Sequence, residues 1–574
     1  MHINNYRRRF DGVFFAFLIF LAFCIARLFI VQFLRSGSLS DQARRQHNLF
    51  IELEPRRGTI YDCSLRPQAV NTSVDSLYAT PQVIPDKDKE SFVSQISAIL
   101  NLDPGFLRER LSRKKSFAWL ARKITPLQAE AIKKLKLKGV GFIRESKRCY
   151  PNGYLASHII GFAGLDNVGL EGIELSCDKY LKGEPGWAMM LRDARQKKID
   201  ISEKAVSPRN GYDVVLTIDE VIQYIAEREL TKAFAAFHAQ SASIVVMDPH
   251  TGAILALANC PTFDLNEYKN ASKEMKRNRA VCDLFEPGSV FKIVTASAAI
   301  EENKVNEEDK FFCENGSYKI ATHILHDHRP HGWLTFREVI SQSSNIGTSK
   351  VAQVLGKEAV YKYIKLFGFG KDSGVDLPGE TPGMIKEPRL WSKISIAIVP
   401  MGQEVAVTTL QLANAISVIA NGGQLMKPYV VKEIRDQYGE PIKEFSPIMV
   451  NKAISLETAR RINKILVGVI DEGTGKLAKI NGISAAGKTG TAQKLEPNGT
   501  YSHDKFIASF IGFAPAEDPV IAIAVVVDQP HPYYFGGVVA APVFKKVAED
   551  VLKYLKGRQP AREVIVLNAA QRSD

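Results

Sequence analysis

Cysteine is sparse and unpatterned in this chain of 574 residues. The seven cysteines, at positions 24, 63, 149, 177, 260, 282 and 313, include no Cys-x-x-Cys pair. That spacing argues against a ribbon-type zinc site and a thioredoxin-like redox centre. Six of them follow the N-terminal apolar run, where disulfides can form, but spacing alone does not pair them. Low-complexity tracts and internal repeats are missing, which excludes solenoids and linker-like chains. Positive charge is in excess but dispersed: 75 Lys and Arg against 62 Asp and Glu give +13. The local clusters, Arg113-Lys114-Lys115, Lys133-Lys134-Leu135-Lys136 and Arg195-Gln196-Lys197-Lys198, have no aromatic residues between them. They read as solvated faces near an anionic membrane or polymer, not as a nucleic-acid platform. Long apolar runs are equally scarce, and only one is present.

That run is GVFFAFLIFLAFCIARLFIVQFL, residues 12–34, with Arg27 its one charge. It is long enough to cross a hydrocarbon core of about 30 Å. No small-x-small cleavage site follows it, so it reads as an uncleaved single-pass anchor and not as a signal peptide. Arg7-Arg8-Arg9 ahead of it predicts a cytoplasmic N-terminus (1–11) with everything after Arg35 outside. Residues 35–215 look mixed and modular. Thr125-Pro126 opens a helix there by cap chemistry, with Leu127, Ala131 and Leu135 on one face and Gly139 as its end. From about 215 the texture changes. A helix is predicted over 221–237, and buried strands over 243–248 and 253–258 about the turn Pro249-His250-Thr251-Gly252. Helices then dominate, including 408–420, until strands resume at 506–513 and 520–527 and a helix closes the unit over 542–556. Strands at both ends with helices between them predict an α+β domain over 216–556, one antiparallel sheet covered by helices. Residues 557–574 read as a polar tail.

The chemistry concentrates in three short motifs. Phe285-Glu286-Pro287-Gly288-Ser289-Val290-Phe291-Lys292 places a Ser-x-x-Lys after a turn and ahead of an apolar helical run. The same pattern at Ser112/Lys115, Ser176/Lys179 and Ser502/Lys505 lacks that context. Ser289 is expected at a helix start with Lys292 on the same face, where burial among Val290, Phe291 and Ile293 favours an uncharged, basic amine. Ser343-Ser344-Asn345 and Lys488-Thr489-Gly490-Thr491 follow in order. Each residue alone is as well read as a helix-surface lysine, a loop serine or a strand threonine. The ordered triple is not.

With these blocks on the page, the chain resembles the class B penicillin-binding proteins, the monofunctional peptidoglycan DD-transpeptidases. Arg57-Gly58-Thr59-Ile60-Tyr61-Asp62, Gly169 to Glu174, Phe285 to Lys292 and Gly487 to Ala492 match family blocks, so the likeness covers almost the whole chain. Ser343-Ser344-Asn345-Ile346-Gly347 is most similar to the septal, cell-division type, whereas elongation enzymes often carry aspartate at the third motif position. The resemblance implies a serine β-lactamase-like transpeptidase domain, preceded by an elongated non-catalytic pedestal of the dimerisation type and a single membrane helix. Ser289 would attack the carbonyl between the terminal D-alanines of a stem peptide, and Lys292 would take its proton. Ser343 would relay a proton to the leaving amine, and Asn345 would hold Lys292 and the peptide amide. Lys488 would supply positive charge, and Thr489 and Thr491 would bind the substrate carboxylate. Gly487 and Gly490 would leave room for a substrate strand against this edge.

No cofactor is implied. The expected partners are stem peptides, lipid-linked precursor polymer, penicillins as covalent inhibitors, a polytopic membrane glycosyltransferase and other divisome proteins in a bacterial inner membrane. The segment before 215 shows no paired glutamates of a second enzyme. One cluster has ligand chemistry: Cys313, His323, His326, Asp327, His328 and His331 have the residue types of a zinc site. The same stretch resembles the ordinary polar loop of septal enzymes, and the expectation is no metal. An elongation-type transpeptidase and a catalytically silent divisome scaffold are the alternatives.

Overall fold

Runs of valine, isoleucine and alanine from both sides of the catalytic motifs meet in one sheet. The computed structural model describes residues 3–37, 48–112, 117–192, 198–321, 323–496 and 499–558. Strands β1 (Ser241–Met247), β2 (Ile254–Cys260), β3 (Ala486–Leu495), β4 (Tyr501–Ala514) and β5 (Ile521–Asp528) lie in the order β2-β1-β5-β4-β3. Every neighbouring pair is antiparallel. Side chains alternate between two cores, as a period of two requires. Ile244, Val246, Ile523 and Val525 pack with helix α1 (Glu220–Ala236) and with Val547 and Val551 of α6 (Ala541–Arg558). Val245, Ala524 and Val526 face the helical half of the domain. That half contains α2 (Lys292–Glu301), α3 (Asn345–Leu355), α4 (Thr409–Ala420) and α5 (Leu456–Asp471). All of α4 is buried, which explains its apolar character on every side. It is a core helix, too short to be a membrane span.

Residues 57–182 carry the rest of this compact unit, which the chain leaves at 183 and re-enters at 211. The strand Pro67–Ala79 pairs along its length with Val140–Cys149 in a seven-stranded sheet. That sheet takes strands from both sides of residue 215, because Val431–Arg435 pairs with Asp213–Leu216. The helix at Thr125 is Pro126–Lys134, with a capping box to Gln128. It ends well before Gly139: Lys136 turns left-handed at φ 48, and Gly139 serves the turn into the next strand. Two of the motif blocks meet here. Arg57 is fully buried and donates to Glu174 Oε2 at 2.7 Å and Asp178 Oδ1 at 2.6 Å, while Arg148 donates to Glu174 Oε1 at 2.5 Å.

A second unit contains residues 1–56 and 183–210. Its strands Asn48–Leu53, Gly186–Arg192 and Lys198–Val206 form an antiparallel sheet. Its N-terminal helix Ile3–Phe29 runs on as a π-helical turn, Ile30–Leu34. The stretch Phe10–Leu34, mean hydropathy 2.7, is long and apolar enough to cross a membrane. The polar tail past 558, the cluster Arg113-Lys114-Lys115 and residues 195–197 lie outside the described residues.

Candidate active site

The Ser289 segment is held by backbone before any side chain acts. Gly288 adopts φ +59, a conformation that favours glycine, and its N–H donates to the Gly402 carbonyl at 3.3 Å. The chain then makes a 3-10 turn, Gly288–Phe291, before α2 begins at Lys292. Ser289 therefore stands one turn ahead of the α-helix and not at its start. The Lys292 N–H closes the turn on the Ser289 carbonyl, and i and i+3 eclipse in a 3-10 turn. Ser289 and Lys292 share a face for that reason.

Lys292 is completely buried. Its Nζ donates to the Ser343 carbonyl at 2.6 Å, to Asn345 Oδ1 at 2.8 Å and to Ser343 Oγ at 3.3 Å. Among the described residues it makes no hydrogen bond to Ser289. Desolvation pushes the amine down to about 7, against a smaller opposing pull from Asp327 and Cys313. Lys488, also completely buried, reaches the same Ser343 Oγ at 2.9 Å from strand β3. Burial first, and then the nearby Lys292, hold it well below the ordinary lysine value. One serine hydroxyl thus bridges two buried amines. Ser343 has φ 61, a left-handed backbone rare for a residue with a side chain.

Strand β3 is the free edge of the sheet. Opposite partners on paired strands share a face. Lys488 pairs with Ile511 and so points to the helical half, while Thr489 and Thr491 pair with Phe510 and Ala508 on the other face. The Thr489 hydroxyl lies 2.7 Å from that of Thr474, and Thr491 Oγ1 accepts from Gly536 N–H at 3.0 Å. The latter bond leaves the Thr491 hydroxyl proton available. The two glycines correct the sequence reading. A Cβ at Gly490 would lie 2.3 Å from Ser509 Oγ and 2.9 Å from both the Pro287 carbonyl and Val290; one at Gly487 would meet the Phe510 ring at 2.6 Å. The room at these positions is filled by the protein itself. Gly490 lets the Ser289 turn lie on the strand. Gly490→Ala is therefore expected to push that turn away, lowering the rate of penicillin acylation at least about tenfold and stability by about 1–3 kcal/mol. Stopped-flow acylation and thermal melting check this; an unchanged rate would mean that the contact does not position Ser289.

The His/Cys/Asp stretch is dispersed. Cys313 is buried, its Sγ 3.4 Å from Ser344 Oγ. His328 packs on Phe535 with ring centroids 4.9 Å apart. His323 and His326 lie on an exposed hairpin strand. Among the described residues, no three His, Cys, Asp or Glu side chains form a metal-sized group. Asp327 has a different environment that the sequence reading missed. Its Oδ1 accepts from Asn345 N–H at 2.5 Å and Ile346 N–H at 3.0 Å, and its Oδ2 from Ser344 Oγ at 2.6 Å. The decoy serines have no such surroundings: Lys179 lies over the Tyr180 ring and Lys505 pairs with Glu496.

Two amines whose protons are lowered by burial, meeting on one hydroxyl beside a serine held in a tight turn, have the chemistry of acyl transfer to and from that serine. The surrounding sheet and helices belong to the serine acyl enzymes that penicillin inactivates. The family description "Penicillin binding protein transpeptidase domain" matches residues 242–549, and "Penicillin-binding Protein dimerisation domain" matches 52–216. The chain is 38% identical over 548 residues to Stage V sporulation protein D of Bacillus subtilis, covering 94% of this chain and 84% of that protein. It is 33% identical over 560 residues to the peptidoglycan D,D-transpeptidase FtsI of Escherichia coli K12, covering 96% and 92%. The crystal structure of penicillin-binding protein 3 from Mycobacterium tuberculosis with aztreonam superposes with a TM-score of 0.70 at 28% identity, over 88% of this chain and 97% of that one. The chain belongs to the class B penicillin-binding proteins. It is a peptidoglycan D,D-transpeptidase.

Proposed function

We propose that Ser289 is the nucleophile of this transpeptidase. Its Oγ attacks the carbonyl between the last two D-alanines of a donor stem peptide while Lys292 takes its proton. The C–N bond breaks, and the terminal D-alanine leaves with a proton relayed through Ser343. Lys292, neutral again once its proton has passed through Ser343, takes a proton from the acceptor amine as that amine attacks the ester, and returns it to the departing Ser289 oxygen. Asn345 holds the Lys292 amine and the donor amide. Lys488 poises Ser343, and the Thr491 hydroxyl, with its proton available, is the carboxylate donor at the β3 edge; Thr489 faces away from Lys488 and is held by Thr474, and Gly490 packs under the Ser289 turn. Backbone N–H groups of Ser289 and Thr491 serve as oxyanion donors, each worth about 3 kcal/mol in the transition state. The free edge of β3 suits a donor peptide lying beside it as an added strand. The observation that carries this reading is the complete burial of Lys292, which leaves its amine near 7 and in contact with Ser343 and Asn345.

The setting we infer is the division septum. Asparagine at the third position of the second motif supports it, as does the likeness to FtsI along nearly the full length. The 12–34 helix anchors the chain in the inner membrane with Arg7-Arg8-Arg9 in the cytoplasm. The residues to 215 form the pedestal, 216–556 the transpeptidase domain and 557–574 a tail. Polymerisation falls to a polytopic glycosyltransferase among the divisome partners. Two measurements test this setting. Depletion should give filamentous cells, and a reporter fused after Asp574 should work only if it is active outside the cytoplasm. Rounded cells would assign the enzyme to elongation, and activity of a cytoplasm-only reporter would overturn the topology.

A further inference from the structure

Asp327 lies 18 and 19 residues before the backbone groups that it binds, in a loop with no evident tie to the Ser-x-Asn motif. Its carboxylate accepts from three consecutive residues: Ser344 Oγ, Asn345 N–H and Ile346 N–H. Those residues begin α3, with Ser344 as its N-cap and Ser344 Oγ in turn accepting from Gly347 N–H at 2.9 Å. The same three residues follow directly on Ser343, whose φ of 61 needs support from its surroundings. Asn345 is also tied from its side chain, its Nδ2 donating to the His326 carbonyl at 3.0 Å. One loop, 326–327, thus grips the side chain and the backbone of the residue whose Oδ1 receives the Lys292 amine.

The charge matters as well as the bonds. The charged and titratable groups that face Lys292 are Lys488 from β3, and Asp327 and Cys313 from the segments ahead of α3. Burial disfavours a proton on the Lys292 amine, and the Cys313 thiol is pushed up by burial and stays neutral. Asp327 is then the one carboxylate that favours the protonated amine.

We propose that Asp327 is a positioning residue for acylation: it holds the Ser343–Asn345 turn in register with Lys292 and keeps the Lys292 amine basic enough to accept the serine proton. The proposal rests on the assignment of Lys292 as the base. A stronger base accepts a proton more readily. Without the carboxylate the amine is uncharged down to lower pH yet takes the proton less well.

The test is Asp327→Asn in the full-length protein, with acylation by a labelled penicillin followed across about pH 5 to 9. The amide oxygen still accepts from Asn345 and Ile346, but the charge is gone. We expect the plateau rate to fall at least about tenfold and the acid-side midpoint to move down by about one pH unit. Ser344→Ala removes one of the carboxylate's bonds and keeps its charge. It should lower the plateau and leave the midpoint in place, and Asp327→Glu should restore the midpoint. A scaffold role alone would lower the plateau of every variant with no midpoint shift in any, and that result overturns the proposal. If Asp327→Asn does not fold, Asp327→Ser replaces it, judged by the same midpoint. Ser289→Ala run alongside separates the two claims. Labelling that survives it rejects the nucleophile and base assignment, whereas its loss together with an unmoved midpoint in the Asp327 variants rejects only the role of Asp327.

Discussion

Ser289→Ala is expected to abolish covalent labelling by penicillin, a loss of at least about a thousandfold, in a protein that folds normally. The side chain of Ser289 caps neither its own turn nor α2, where no capping bond is made. The turn is closed by backbone bonds, and Gly288 and Gly490 supply its shape. Deleting one half-buried hydroxyl should therefore cost about 1 kcal/mol or less. The same deletion removes the only oxygen that can form the ester. Ser112→Ala and Ser176→Ala, at the decoy motifs, should label as wild type. A folded Ser289→Ala protein that still forms a stable adduct would move the nucleophile elsewhere.

The second large effect concerns Lys292 and has two parts. Lys292 accepts the serine proton only when uncharged, and burial puts its amine at about 7. Wild-type acylation should then fall about tenfold per pH unit below that value and level off above it. Lys292→Met should slow acylation at least about a hundredfold and flatten this acid limb. Stability should move the other way. In the unfolded chain a lysine keeps its proton to about pH 10.4, so at neutral pH the folded protein binds fewer protons than the unfolded chain at this position. Stability at this site therefore rises with pH between about 7 and 10.4, and burying the lysine is a net cost below that window. Lys292→Met fills the same space without the desolvation cost, so it should melt no lower than wild type at pH 7 despite its inactivity. A steep acid limb retained in Lys292→Met would assign the base to another group. Melting well below wild type would show that the bonds to Ser343 and Asn345 outweigh desolvation.

Much of this site is legible in the sequence because its determinants are local. Pro287-Gly288 ahead of Ser289, the apolar surroundings of Lys292 and the alternation in β5 each act within a few residues. Strand patterns at both ends of the domain, with helices between them, predict one sheet built from both ends, and β1, β2 and β5 meet β3 and β4 in it. What was missed depends on long-range contacts. Nothing near Asp327 signals that it binds the N-terminus of α3; from sequence it is one of six residues of ligand type in a polar loop. The role of Gly490 follows from the approach of Pro287 and Val290 across the sheet edge, and neither is near it in sequence. The pairing of Val431–Arg435 with Asp213–Leu216 joins segments more than 200 residues apart. A helix boundary was misplaced for a smaller reason. Lys136 turns left-handed three residues before Gly139, the residue that the sequence marks as the helix end.

The most direct measurement is to acylate the full-length protein with a labelled penicillin, digest it and locate the adduct by mass spectrometry. The account predicts one modified peptide, spanning Phe285 to Lys292, with the added mass on Ser289. An adduct on Ser112, Ser176, Ser343 or Ser502, or a folded protein with no adduct at all, would contradict it.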